Sequence, residues 1–142
     1  MTETGERRTV LVVDDEPHVV AYLEMVLQDN GYETVSAANG REGMEKAKAQ
    51  PPDLICLDIT MPEESGVRMF RNLREDPELA TVPVLVVTAV TGLGGDPEPF
   101  RHFLNSRKSI SPPEGFFSKP IDREDFIQKV NQLLAKPVAT AQ

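Results

Sequence analysis

Short apolar runs alternate along the chain with segments in which apolar residues recur every three or four positions. Residues 10–13, Val-Leu-Val-Val, form the first run, and apolar residues at helical spacing follow from Val19 to Leu27. The alternation continues to the end of the pattern near Leu134. It predicts five strands, at residues 10–13, 33–38, 53–59, 84–88 and 115–118.

The helices between these strands have recognisable ends. Pro17 suits the first turn of the first helix, and Asn30-Gly31 supplies a left-handed stop after it. Asn39-Gly40 precedes a polar helix over residues 42–50, a third helix is predicted over residues 67–75, and Asp122 is predicted to cap the last one.

Strand runs that are apolar throughout belong in a sheet that is covered on both faces. The fold class is therefore α/β, a doubly wound, five-stranded parallel sheet.

The interval over residues 91–115 breaks this regularity. Eight of its 25 residues are Gly or Pro, a density that argues against an ordinary crossover helix between the fourth and fifth strands. We expect the fourth helix of the fold, which would lie here, to be irregular or shortened. The division of the chain is accordingly a tail over residues 1–8, a domain over residues 9–134 that contains this segment, and a tail over residues 135–142.

Composition narrows the classes of function. The 142 residues, 39% of them hydrophobic, suit one compact domain, and the formal net charge of −8 argues against binding to nucleic acid or to anionic membranes. No stretch reaches membrane-spanning length and no signal peptide is recognisable, so the chain is expected to be cytoplasmic. The single cysteine, Cys56, lies in an apolar run and is predicted to be a buried hydrophobic residue.

Polar residues follow or end several of the predicted strands. The carboxyl ends of parallel strands gather at one edge of a sheet, where such folds place their ligands. Three carboxylates at this edge would repel one another, so a hard divalent cation is expected there, Mg²⁺ before Ca²⁺. A hydroxyl and an ammonium group in addition suit a bound phosphoryl group. The residues concerned are Asp14 and Asp15 after the first strand, Asp58 in the third, Thr88 in the fourth and Lys119 after the fifth.

These residues resemble, in order and in strand position, the receiver domain of two-component response regulators. The similarity covers residues 9–134 and includes the Leu57-Asp58-Ile59-Thr60-Met61-Pro62 segment with Gly66 beyond it, the Thr88-Ala89 pair and the Lys119-Pro120 pair. Each motif alone is weak, and it is their joint occurrence that carries the resemblance. It implies a flavodoxin-like receiver fold of the stand-alone type, with no output domain visible after Leu134.

The resemblance also implies a role for each residue of the set. Asp58 would accept a phosphoryl group from a sensor histidine kinase or a phosphotransfer protein, and the result would pass to a downstream protein that the sequence does not identify. Mg²⁺ would be bound by Asp15, Asp58 and the main-chain carbonyl of Thr60, with Asp14 acting through water. Thr88 and Lys119 would contact the phosphoryl oxygens. Thr88 would also act as a switch residue together with Phe116. The Lys119-Pro120 peptide would be cis.

Two other functions share these residues. A degenerate receiver would be a protein-interaction module that works without phosphorylation; because all five residues of the edge are present, we rank it second. A Mg²⁺-dependent aspartyl phosphohydrolase of the haloacid dehalogenase type would carry an acid/base Asp two residues after the nucleophile, where this chain has Thr60. We therefore expect a signalling switch rather than an enzyme that acts on external substrates.

Overall fold

The computed structural model describes residues 7–61, 63, 65–88 and 110–134. Most of the atypical segment, residues 91–109, lies outside the described residues, and so does the irregular or shortened helix predicted there. Most of the predicted N-terminal tail and the whole of the predicted C-terminal tail also lie outside them.

Five parallel strands form one sheet in the order β2-β1-β3-β4-β5, which confirms the predicted fold class. The strands are β1 Thr9–Val13, β2 Glu33–Ala37, β3 Leu54–Asp58, β4 Val84–Thr88 and β5 Gly115–Ser118. Four helices are described, α1 Pro17–Asp29, α2 Gly40–Ala49, α3 Ser65–Glu75 and α4 Arg123–Leu134. The helix predicted from residue 42 begins two residues earlier because the Asn39 side chain caps it, accepting a hydrogen bond from the Glu42 N–H at 2.8 Å.

Both faces of the sheet are buried, as the unbroken apolar runs predict. Alternate residues of each central strand point to opposite faces, so Leu11 and Val13 pack in one core cluster while Val10 and Val12 pack in the other. The first cluster includes Met69, Phe70 and Leu73 of α3, and the second includes buried residues of α1 and α4. The side chain of Cys56 is buried in the second cluster, as predicted.

The ends of the helices follow the sequence signals. Pro17 begins α1, and Gly31 after its last turn has a φ of 91°, a left-handed conformation that glycine adopts without steric cost. The Asp122 side chain accepts a hydrogen bond from the Asp125 N–H at 2.9 Å and so caps α4, as predicted. The sequence signals thus mark the two ends of α1 and the start of α4.

β5 is less buried than β1, β3 and β4. Within the described part of the chain it pairs with β4 alone, and its residues alternate between partly buried and exposed. Phe117 packs edge-on against Phe126 of α4, with ring centroids 5.7 Å apart, whereas Phe116 is 57% exposed. Hydrophobic burial therefore does little to hold this strand in register.

None of the helices in the described ranges is both long enough and apolar enough to span a bilayer.

Candidate functional site

Three carboxylates meet at the carboxyl ends of β1 and β3. Asp14 and Asp15 follow β1, and Asp58 is the last residue of β3, which is the neighbour of β1 in the sheet. One oxygen from each of the three side chains lies within 4.8 Å of the others. Asp14 and Asp58 are 3% and 2% exposed, whereas Asp15 faces solvent. Two buried carboxylates and one exposed carboxylate thus form the acidic site that the sequence predicts.

Lys119 supplies the positive charge of this site. Its Nζ lies 3.1 Å from an Asp14 carboxylate oxygen, 3.2 Å from Asp58 Oδ2 and 2.7 Å from Glu16 Oε1. The main chain of Lys119 is also fixed, because its N–H donates to the Thr88 carbonyl at 2.9 Å. The Lys119-Pro120 peptide is cis, as predicted. One ammonium group is therefore shared among three carboxylates.

The charges of the site shift one another's pKa values. Burial, and secondarily the charge of Asp58, raises the pKa of Asp14 to about 6, against smaller opposing effects of the Glu16 main-chain hydrogen bond and of Lys119. Burial alone would lower the pKa of Lys119, but its hydrogen bond to Glu16 and the charges of Asp58 and Asp14 outweigh that effect and raise it. The ammonium group therefore remains charged, whereas Asp14 ionises reluctantly while no cation other than Lys119 is nearby.

The raised pKa of Asp14 predicts how the stability of the metal-free protein depends on pH. The folded-state value of about 6 lies above the ordinary value of 3.8, so the stabilising contribution is complete below 3.8 and is lost as pH rises through about 6. Between these values the free energy of unfolding should fall by about 2 kcal/mol relative to an Asp14→Asn variant, which cannot ionise. Urea unfolding in the presence of a chelator measures the difference, and parallel pH profiles for the two proteins would contradict the expectation.

The loop after Asp58 holds this side chain in one orientation. The Thr60 N–H and the Thr60 hydroxyl both donate to Asp58 Oδ1, at 2.8 and 2.6 Å. On the other side, Gly66 of α3 lies directly against the main chain of Asp58: a Cβ at Gly66 would stand 2.2 Å from the Asp58 carbonyl oxygen. A side chain at residue 66 therefore has no room unless the strand end itself moves.

Gly66→Ala is expected to destabilise the protein by about 2 kcal/mol, since its methyl group would meet main-chain atoms that cannot rotate away. Gly43→Ala of α2 is the matched control. Its methyl group would meet chiefly the Met69 side chain, at 2.7 Å from Sδ, and a methionine side chain can adjust. Urea unfolding of the two variants measures the difference. Equal losses, or a smaller loss for Gly66→Ala, would show that the approach to Asp58 is not rigid.

The remaining predicted residues lie around this cluster. Thr88, half-buried, ends β4, and in the β3–β4 register it comes one residue after Val87, the partner of Asp58. Phe116 is the second residue of β5, three positions before Lys119, with its ring largely exposed. Thr88 and Phe116 are thus carried by neighbouring strands that both end beside the acidic site.

Sequence reasoning missed Glu16 as a member of the site. It is the residue before α1 and makes the shortest of the three Lys119 contacts, which lowers the pKa of its carboxyl group. A signal was present, because Glu16 is the third consecutive carboxylate after β1. The sequence predicts a phosphoryl group as the partner of Lys119, whereas in the structure Lys119 pairs with three carboxylate side chains.

The chain is similar to proteins of known family over most of its length. The sequence model of the response regulator receiver domain family matches residues 10–95. The polar-differentiation response regulator DivK of Brucella anthropi is 33% identical over 127 residues, which cover 89% of this chain and 96% of DivK. The family model thus spans the three carboxylates of the acidic site, and the similarity to DivK extends over most of the chain.

Solved structures of similar fold agree with these matches. The chemotaxis protein CheY4 of Vibrio cholerae superposes with a TM-score of 0.74 at 29% identity, covering 90% of this chain and 99% of CheY4. The signal receiver domain of a signal transduction histidine kinase from Syntrophus aciditrophicus gives a TM-score of 0.76 at 30% identity and covers 95% of both chains. The predicted resemblance is confirmed, and the chain belongs to the family of response regulator receiver domains.

Proposed function

We propose that this protein is a phosphorylation-dependent signalling switch in which Asp58 accepts a phosphoryl group. The observation that carries the proposal is the position of Asp58: it ends a buried strand, beside two further carboxylates and the Lys119 ammonium group. A buried carboxylate in such surroundings is held in place and kept close to a positive charge. Family membership supports phosphorylation-dependent signalling by the chain as a whole.

The acidic site fits a Mg²⁺ ion. Its three carboxylates offer oxygen atoms within 4.8 Å of one another, and Mg²⁺ prefers a small number of carboxylate ligands completed by water. We propose that Asp15, Asp58 and the main-chain carbonyl of Thr60 bind the ion, with Asp14 acting through a water molecule. When bound, the ion would neutralise charge, so that an anionic phosphoryl group can come close to an anionic carboxylate.

Phosphoryl transfer in this site would form one bond and break one. A carboxylate oxygen of Asp58 attacks the phosphorus atom of a phosphohistidine on a sensor histidine kinase or phosphotransfer protein, and the P–N bond breaks with its electron pair going to the imidazole nitrogen. The product is an acyl phosphate on Asp58. Thr88 donates a hydrogen bond to the phosphoryl oxygens and Lys119 pairs with them. Hydrolysis of the acyl phosphate by water restores the carboxylate and resets the switch.

The signal would leave the site through β4 and β5. Thr88 is paired with Ser118 in the β4–β5 register, and Phe116 lies two residues earlier on the same edge strand. Movement of Thr88 toward the phosphoryl group would open space near Phe116, and a change in the exposure of this ring is a signal that a downstream protein can bind. We infer that the protein relays phosphorylation as a surface change and does not turn over an external substrate.

Incubation with Mg²⁺ and a small phosphodonor such as phosphoramidate tests the proposal. Intact-protein mass spectrometry should show the addition of one phosphoryl group, which is lost under the mildly alkaline conditions that hydrolyse acyl phosphates and is absent when a chelator replaces Mg²⁺. A protein that stays unmodified with Mg²⁺ and donor in excess would instead be a phosphorylation-independent interaction module.

A further inference from the structure

Arg74 of α3 has a buried side chain that makes an extensive set of hydrogen bonds away from the acidic site. Its side chain is 3% exposed, and its guanidinium carbon lies 5.0 Å from the centre of the Phe70 ring. All of its N–H donors are used. They bind the carbonyl oxygens of Ala80, Val82, Ser111 and Pro112 and the carboxylate of Glu114, at 2.9 to 3.3 Å. One side chain thus joins α3, the loop before β4 and the residues that lead into β5.

Glu114 extends these contacts to the first residue of β4. Its Oε1 accepts from Arg74 at 3.0 Å and from the Val84 N–H at 2.7 Å, and its own N–H donates to the Val84 carbonyl at 2.9 Å. The residue that precedes β5 is therefore bonded to the start of β4 through both its side chain and its main chain. We call Arg74 and Glu114 together the arginine clamp.

The arginine clamp adds polar contacts to a strand that buries little apolar surface within the described residues. β5 has four residues, pairs with β4 alone in the described ranges, and packs chiefly through Phe117. Strands that bury little apolar surface are weakly specified in register, and a shift by one residue moves each side chain by roughly 3.3 Å and to the other face. Such a shift is as large as the distance from Lys119 Nζ to Asp58, 3.2 Å.

We infer that the arginine clamp, at the far end of the sheet, sets the register of β5 and thereby places the Lys119 ammonium group in the acidic site. β5 leads directly from Glu114 to Lys119, so the strand is bonded to β4 by the clamp at its start and by the Lys119 N–H to Thr88 bond at its end. Arg74 is a positioning residue: it touches none of the groups that react. The inference deepens the proposed function, and rests on it for the role of Lys119 in phosphoryl transfer.

Nuclear magnetic resonance of the metal-free protein with isotope-labelled lysine tests the placement directly. The Lys119 side-chain signal is assigned by its loss in Lys119→Arg. Its chemical shift should differ from those of surface lysines because Lys119 has three carboxylate neighbours. In Arg74→Met the chemical shift of this signal should move toward that of surface lysines. The amide hydrogens of Phe117 and Lys119 should exchange with solvent about tenfold faster, while those of β1 and β3 should exchange at unchanged rates. Arg41→Met is the matched control, because Arg41 is an exposed arginine of α2 paired with Glu45.

Two further variants keep the test decisive. Arg74→Lys retains the charge but loses the forked set of donors, so it should shift the signal in the same direction if Arg74→Met does not fold. Glu114→Ala should have the same effect as Arg74→Met, and the double variant should be no worse than either, since all three remove one clamp. A Lys119 signal that is unchanged in folded Arg74 and Glu114 variants would overturn the inference and leave the clamp as a packing contact.

Phosphorylation separates this inference from the proposed function. With saturating Mg²⁺ and phosphoramidate, Arg74→Met should be labelled about tenfold more slowly than the natural protein, as misplacing a charged group in a reactive site predicts. An unchanged rate in a variant whose Lys119 signal has moved would contradict the link to phosphoryl transfer. Absence of labelling in the natural protein would refute the proposed function, and the position of the Lys119 signal would still decide whether the clamp places this residue.

Discussion

Asp58→Ala is expected to abolish phosphoryl labelling, with a rate at least about a thousandfold below that of the natural protein. The substitution removes the proposed nucleophile, and no other carboxylate of the site can take its place. Burial raises the pKa of Asp14, so this carboxyl ionises reluctantly in the metal-free site, and Asp15 is the exposed carboxylate that we assign to Mg²⁺ binding. Labelling with phosphoramidate and Mg²⁺, followed by intact mass, measures the effect.

The same variant should remain folded. Removing Asp58 relieves its repulsion with the buried Asp14 carboxylate, while Lys119 keeps Asp14 and Glu16 as partners. Its thermal midpoint without metal is therefore expected to rise. Asp29→Ala, at the end of α1, is the control for the loss of one carboxylate and should be labelled normally. Undiminished labelling of Asp58→Ala would refute the assignment of the nucleophile.

Asp15→Asn is expected to weaken Mg²⁺ binding by about a hundredfold. Asp15 is the exposed member of the cluster and makes no ion pair within the described ranges, so its main contribution is a charged oxygen at the proposed cation site. An amide oxygen at the same place is neutral and a poorer ligand. Calorimetric titration of the metal-free protein with Mg²⁺ measures the change.

Asp29→Asn controls for the change in net charge. α1 has 13 residues and separates Asp29 from the site by about 20 Å, so at physiological ionic strength its charge is largely screened there. Its Mg²⁺ affinity should equal that of the natural protein. Equal affinities for Asp15→Asn and the natural protein would mean that the cation binds elsewhere.

The strands and the acidic cluster could be predicted because their signals are local. A run of apolar residues that ends in Asp58 predicts a buried strand with a carboxylate at its end, and the structure has both. The parallel arrangement then places this end at the same edge of the sheet as the end of β1, and the observed strand order makes the two strands neighbours.

Contacts between distant parts of the chain could not be predicted in this way. Lys119 and Glu16 are 103 residues apart, and the run of three carboxylates from Asp14 to Glu16 does not show which of them pairs with the lysine. In the sequence, Arg74 is one of three arginines of α3, and nothing distinguishes it from an exposed residue of that helix. Its burial depends on the path of the chain around Ser111 and Glu114, which the sequence presents only as part of a segment rich in Gly and Pro.

Locating the phosphoryl group tests most directly whether Asp58 is the residue that accepts it. The natural protein is incubated with Mg²⁺ and phosphoramidate and then reduced with borohydride, which converts an acyl phosphate to an alcohol, and its peptides are sequenced by mass spectrometry. We expect reduction at Asp58 alone, in a reaction that requires Mg²⁺. Reduction at Asp14 or Asp15, or a phosphoryl group on a serine, threonine or histidine, would contradict it.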